Sequence, residues 1–338
     1  MQASIVGVDI AKSVFQVCGV DAQRREVFNR RLKRKELEIF MLQLPPSRVV
    51  MEACYMAHYW GRCFTAMGHR VELLPAQHVK PFVRGNKNDA NDALAIAEAA
   101  DRPGLRAVPV KSVHQQEVLA LHRLRERLKT QRIQLMNQTR GLLAEFGIVF
   151  AQGHAAFRKM LAGLDQETAL SGCFKAALLR VAEEYWQLSA ALAAVDADIA
   201  HFVEASPACG ILMTVPGLGP INASALVASV DRGQAFANAR AFAVWLGLTP
   251  KQSASGHRAV MGGISKRGDR YLRTLLIHGA RATLRWARHR DDGLSRWINA
   301  LVLRRGVQKA TVAVAHRLAR ISWVLLQRNE PFKLDAMR

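Results

Sequence analysis

"SIVGVDIAKSVFQVCGV", residues 4–20, decides how the first third of this chain folds. Two runs rich in β-branched and aromatic residues flank the polar "AKS", which reads as two strands joined by a short turn. Asp9 ends the first run, where an unpaired charge beside buried apolar residues is costly. Downstream, "REVFNRRL" (25–32) alternates like a third strand, and "KRKELEIFMLQL" (33–44) is helical. "RVVMEA" (48–53) reads as a short buried strand with Glu52 near its end, and "YMAHYWGRCFTAMGH" (55–69) as a helix closed by Gly68. "RVELLP" (70–75) is a further strand stopped by Pro75. Three consecutive strands, then alternating helices and strands, predict an α/β domain over 1–110: a mixed sheet with helices on its faces.

The chain has 338 residues, half of them hydrophobic, which predicts a globular protein of two or three domains. Its 48 Lys and Arg against 27 Asp and Glu leave a formal charge of +21, an excess that suits a polyanionic partner. Nucleic acid is the first candidate and an anionic membrane surface the second. The N-terminal apolar run carries Asp9 and follows no basic segment, so it does not read as a signal peptide. No window approaches the ~20 uncharged apolar residues of a membrane span. The most apolar late stretch, 307–327, holds Lys309, Arg317 and Arg320 and reads as an amphipathic helix, so membrane association is not expected. Five cysteines without a CxxC spacing fit reduced thiols in a cytoplasm and no zinc site.

Residues 111–205 read as long helices. Leu121, Leu124, Leu128, Leu135 and Leu142 fall on heptad a/d positions, with Gln131 and Gln138 at the remaining d sites. Val181, Tyr185, Leu188, Leu192, Val195, Ile199 and Phe202 step alternately by four and three. The pattern predicts a coiled coil whose seam joins copies of the chain into at least a dimer; an internal helical hairpin is the alternative. Residues 206–338 form a third, mostly helical region. In it "TVPGLGPINASALVASV" (214–230) resembles a helix-hairpin-helix element, whose backbone N–H groups can grip a phosphate. From His257 to Arg338 eighteen Lys and Arg face five Asp and Glu, a footprint suited to DNA or RNA. Lys266, Arg267, Arg270 and Arg273 follow the glycine turn of "MGGISKRGD", while "TPKQSASGHR" (249–258) reads as a surface loop with Ser253 and Ser255 between Lys251 and Arg258.

Asp89 and Asp92, in "GNKNDANDALAIAEAA" (85–100), open a helix, and their spacing puts both on one face. Helix capping alone would account for them. With Asp9 and Glu52 at strand ends, however, they form the oxygen-donor set that Mg²⁺ takes, and two such ions about 4 Å apart suit phosphodiester chemistry. The residues by themselves leave three readings open: a DNA recombinase, a structure-selective metal-dependent nuclease, and a non-catalytic nucleic-acid-binding architectural protein.

The quartet Asp9, Glu52, Asp89 and Asp92, with "KNDANDA" around the last two, resembles the DEDD transposases of the insertion-sequence family 110. The later stretch "WLGLTPKQSASGHRAVMGGISKRGDRYLRTLLIHGARA" (245–282) resembles that family's C-terminal transposase motif, and the likeness spans nearly the whole chain. The resemblance implies a RuvC-like (RNase H-like) first domain whose four acids hold Mg²⁺, and a catalytic serine at Ser255, with Ser253 the weaker candidate. It also implies a recombinase that excises and inserts its element, guided by a structured bridge RNA paired to donor and target DNA. A bacterial cytoplasmic, nucleoid-associated protein working as a dimer, or a tetramer when two DNA duplexes are joined, would follow. A metal-activated serine places acids and hydroxyl in one composite site. Tyr55 and Met56 depart from the small or turn-forming residues expected after the second acid.

Overall fold

Strands β1 (Ile5–Asp9), β2 (Val14–Val20) and β3 (Glu26–Lys33) are consecutive and antiparallel. Helix α1 (Arg34–Gln43) then leads to β4 (Arg48–Glu52), which pairs parallel with β1. Helix α2 (Ala57–Ala66) leads to β5 (Arg70–Leu74), parallel to β4, so the sheet order is β3-β2-β1-β4-β5. The computed structural model describes residues 3–83, 88–102, 104–255 and 258–334, divided into two units, Met1–His114 and Gln115–Arg338. The mixed α/β expectation for the first unit is met, strand by strand.

Side-chain alternation gives the sheet two apolar faces. Val6, Val8, Phe15, Val17, Val49, Met51 and Leu73 point to one face, under Leu37 and Met41 of α1 and Trp60 and Phe64 of α2. Ile5, Cys18, Val20, Val50 and Leu74 point to the other. That second face is covered by α4 (Asp89–Ala99), which follows the one-turn α3 (Ala76–Val79) and buries Ala93, Ala95, Ala97 and Ala99. Alanines leave little between helix and sheet, and Gly7 in the middle of β1 removes the last obstacle. A Cβ on Gly7 would overlap the Ala93 carbonyl oxygen and lie 2.9 Å from the Ala97 nitrogen.

In the second unit, α5 (Val113–Ala144) and α7 (Gly172–Glu204) run side by side, with α6 (His154–Ala162) at their far end. Arg125 meets Asp196 at 2.5 Å, Arg132 donates to the Ser189 hydroxyl, and Leu135 and Met136 pack with Tyr185. Those contacts rise on one helix as they fall on the other, which is the signature of an antiparallel hairpin within one chain. The α7 seam is therefore covered internally: Tyr185, Leu192 and Ile199 are buried, and Val181, Leu188, Val195 and Phe202 pack on the same clusters. This corrects the reading of that seam as intermolecular. On α5 the buried side includes Leu128 and Leu135 but also Val118, His122, Met136 and Leu143, whereas Leu124, Leu142, Gln131 and Gln138 are exposed. The heptad reading of α5 fails there, because Val118, His122, Met136 and Leu143 on its buried side lie off the predicted a/d positions.

The near end of the hairpin joins a core built by α8 (Pro207–Met213), α9 (Pro220–Val230), α10 (Ala239–Trp245), α11 (Arg270–Ala287) and α12 (Gly293–Arg328). Buried His122 on α5 bridges the Tyr271 hydroxyl at 2.9 Å and the Ser224 hydroxyl at 3.0 Å, pinning α5 to α11 and α9. Burial first, then the Arg125 charge, pushes its imidazole down to about 4, so it stays neutral at pH 7. The turn between α8 and α9 is packed against α11: Thr283 donates to the Pro216 carbonyl, and Gly217 leaves no room for a Cβ beside Gly279. Ribbon β6 (Pro250–Ser255) and β7 (Arg258–Ile264) precedes α11. Among the described residues no helix is long and apolar enough to cross a membrane, and all five cysteines are free thiols.

Two consequences are measurable. Gly7→Ala should destabilise the protein by about 1–3 kcal/mol through overpacking, seen as a lower denaturation midpoint. Leu192→Ala should cost about 2–5 kcal/mol, as for a core leucine, with the mass in solution unchanged.

Candidate active site

Register and alternation bring two acids together. Val8 of β1 is paired with Met51 of β4, so Asp9 and Glu52 each follow one residue later on neighbouring parallel strands, about 5 Å apart along the hydrogen-bonding direction. Asp9 shares its face with Ile5 and Gly7, and Glu52 shares it with Val50, which is the face covered by α4. Helix α4 lies antiparallel to β1: Ala93 and Ala97 rest on Gly7, and Arg48 at the other end of β4 donates to the Ala100 carbonyl at 2.7 Å. The first turn of α4, with Asp89 and Asp92, is thereby carried to the end of β1 where Asp9 sits.

The electrostatics reports the convergence. Asp9 is pushed up to about 6, first by burial, then by the negative charges of Asp92, Asp89 and Glu52. A carboxyl raised by three other carboxylates lies in a field that a cation would relieve. Among the described residues no three acidic, imidazole or thiol groups are drawn into metal-ligating geometry. The four side chains share one end of one sheet face without being closed on a common point. Their hard oxygen donors nonetheless fit a divalent cation such as Mg²⁺.

Neither aspartate is the N-cap, although both lie in the first turn of α4 where the helix dipole favours negative charge. The N-cap of α4 is Asn88, whose side-chain oxygen accepts from the Asn91 N–H at 2.8 Å. Arg48, at the start of β4, holds Glu72 with its guanidinium at 3.0 and 2.8 Å and also meets Asp101. After Glu52 the chain turns sharply, and Met56 takes a left-handed conformation (φ 64°) as the N-cap of α2. The turn does demand a residue tolerant of positive φ, and here methionine supplies it, with the Arg34 guanidinium on its sulfur at 3.1 Å. Tyr55 is exposed beside it. Cys54, which the sequence reading passed over, has its thiol pushed up to about 11 by burial of the sulfur, then by Glu52 and Asp9.

Ser255 belongs to the second unit. It ends β6, an exposed strand rather than the expected loop, and Ser253 lies on the same side of the ribbon by alternation. Ser255 is in register with Arg258, while Gly256 and His257 lie outside the described residues. Lys251, Lys266, Arg267 and Arg270 are exposed. Arg273 is half-buried and donates to the Leu246 carbonyl at 3.0 Å, so part of its guanidinium is structural. The basic loop before α11 is clamped onto the turn after α10. Lys266 N–H donates to the Gly247 carbonyl, and Gly247 (φ 70°) and Gly268 (φ 117°) sit where a Cβ would strike the opposing backbone. Gly7 and this glycine pair were visible in the sequence, but only their close neighbours reveal what they permit.

Two family models match the chain. One, described as "Transposase IS116/IS110/IS902 family", matches residues 209–294, and another, described as "Transposase", matches residues 6–148. A "Probable family 20 transposase" of Pseudomonas aeruginosa is 45% identical, with 98% of this chain and 99% of the relative covered. The "Transposase for insertion sequence element IS1111A" of Coxiella burnetii is 41% identical, covering 98% of this chain and 92% of the relative. A chain of this kind is a DNA transposase, an enzyme of strand transfer. It belongs to the IS110 family of insertion-sequence transposases.

The raised Asp9 gives a pH dependence whose sign is fixed. Its folded pKa, about 6, exceeds the ordinary 3.8, so the native state binds more protons between those values. Its contribution to stability is full below pH 3.8 and is lost as pH rises through 6. Asp9→Asn should therefore raise the melting temperature of metal-stripped protein at pH 7 by a few degrees, on the order of 1 kcal/mol after solvent screening, with no gain at pH 4. Thermal melts with a chelator at both pH values check this.

Proposed function

We propose that the first unit is a RuvC-like, RNase H-like catalytic domain whose Asp9, Glu52, Asp89 and Asp92 hold Mg²⁺, and that Ser255 attacks DNA. The observation that carries the reading is the convergence of four carboxylates on one end of one sheet face, where burial and then the charges of Asp92, Asp89 and Glu52 raise Asp9 to about 6. When bound, Mg²⁺ supplies positive charge against the phosphodiester oxygens and favours ionisation of a nearby hydroxyl. Ser255 Oγ gives up its proton and bonds to phosphorus, the bond from phosphorus to a deoxyribose oxygen breaks, and that oxygen takes a proton. The phosphoserine ester so formed keeps the bond energy, and attack by a DNA hydroxyl reverses the step and rejoins strands without ATP. Lys251, Arg258, Lys266, Arg267, Arg270 and Arg273 offset the charge developing on the phosphate.

The finer reading has donor and target DNA chosen by a structured bridge RNA that the protein carries, within a homo-oligomer of at least two copies. A metal-dependent nuclease of the junction-resolving type is the alternative: it keeps the acidic quartet and dispenses with Ser255.

Three measurements on purified protein separate these. Asp92→Asn should lower strand transfer by about 100-fold or more while the denaturation midpoint barely moves, because Asn88 supplies the cap. With a nicked suicide substrate, wild type and Ser253→Ala should trap a covalent protein–DNA species and Ser255→Ala should not; cleavage by Ser255→Ala at the wild-type rate favours the nuclease. Sequencing RNA that co-purifies should return one dominant structured species if guidance is by RNA.

A further inference from the structure

The packing of Ala93 and Ala97 on Gly7 sets how far α4 stands from the sheet. Apolar contact is non-directional, so it leaves open how the helix is rolled about its own axis. A hydrogen-bonded relay closes that freedom at the first turn. Gln16 of β2 is the register partner of Asp9, so the two side chains leave the sheet on the same face, the one that α4 covers. The Gln16 side-chain NH₂ donates to the Asn29 side-chain oxygen on β3 at 2.6 Å, and the Asn29 NH₂ donates to the Ala90 carbonyl at 3.4 Å. Ala90 lies between Asp89 and Asp92. The path thus runs from the cross-strand neighbour of one acid to the backbone that carries two others.

The strand itself is shaped around Asn29. Where Gly19 pairs with Phe28 and Val20 with Glu26, β3 takes one extra residue, and this bulge brings Glu26 onto the same face as Asn29. The Glu26 carboxylate accepts from the Asn29 NH₂ at 3.1 Å. With a carboxylate and a carbonyl on one side and an N–H donor on the other, only a primary amide meets all three partners, and its orientation is fixed. Neutrality matters as well. A lysine or arginine in this place would pair with the acids in competition with a cation, and an aspartate would have no hydrogen to offer Ala90.

We propose that Asn29, backed by the buried Gln16, is a positioning residue of the acidic site, holding the first turn of α4 at the roll that aims Asp89 and Asp92 at a divalent cation shared with Asp9 and Glu52. The inference rests on the reading of those four acids as cation ligands and adds the neutral side chains that set their arrangement. Asn29 acts through α4 and not by contact with the cation.

The test is Mn²⁺ binding by the full-length protein, followed through the electron paramagnetic resonance of the free ion, beside the melting temperature in chelator. Asn29→Asp keeps the shape of the side chain, removes the donor to Ala90 and adds a negative charge. Added charge alone would tighten cation binding, whereas loss of positioning weakens it, so the sign of the change decides. Mn²⁺ binding about tenfold weaker is expected, as for residues that orient metal ligands. The melting temperature should fall by no more than a few degrees, on the order of one lost hydrogen bond. The Mg²⁺ needed for half-maximal strand transfer should rise by about the same tenfold, with the rate recovered at excess Mg²⁺. Mn²⁺ binding as tight as in wild type, or tighter, overturns the proposal. Should Asn29→Asp not fold, Asn29→Ala, which removes the donor without adding charge, decides by the same readings. Asp92→Asn separates the proposal from the reading beneath it. If that variant loses Mn²⁺ while the Asn29 variant binds as wild type does, only the positioning role falls. If both bind as wild type does, the four-acid cation site falls and the proposal with it.

Discussion

The closeness of α4 to the sheet is the constraint from which the acidic site follows. A helix rests on a sheet at a distance set by the side chains between them, and here those are Gly7 on one side and Ala93 and Ala97 on the other. Larger residues would lift the whole helix, and its first turn would move away from the ends of β1 and β4. Asp89 and Asp92 would then leave the field that raises Asp9. A backbone contact at the middle of the strand thus governs charge at its end.

The strands of the first unit were legible because alternation and β-branched runs are local signals, and the order of β1 to β5 followed them closely. The acids were legible because Asp9 and Glu52 each end a strand while Asp89 and Asp92 open a helix, and strand register aligns the first two. What local pattern could not supply was the partner of each surface. The heptad step of α7 is the same whether the seam meets another copy or α5, and only the opposing contacts of Arg125 with Asp196 and Leu135 with Tyr185 decide it. The stretch around Ser255 looked like a loop because its residues are small and polar, yet β7 pairs with it to make a strand. Met56 was marked as ill suited to its turn; the conformation it adopts gives the reason.

The two units reach order by different means. In the first, a sheet fixes side chains by register. The second relies on glycine at crossing points, where Gly217 meets Gly279 and Gly247 and Gly268 interlock two turns. Where backbones touch directly, a one-carbon addition has no flexible neighbour to displace, so these positions tolerate change less than their lack of a side chain suggests. His122 adds a polar tie among three helices, its ring satisfied at both nitrogens and kept neutral by its surroundings.

The ribbon of β6 and β7 has a different standing. Every residue of β6 is exposed, and Ile264 at the end of β7 packs on the core beneath. Selection for folding is blind to such a segment: a substitution in it changes what the surface can do without changing whether the protein survives in the cell. A change there alters chemistry at almost no risk to the scaffold, whereas around Gly7 each change would first have to pass the test of stability. What holds the ribbon's residues in relatives is therefore the chemistry proposed for Ser255, whereas the alanines of α4 are held by stability.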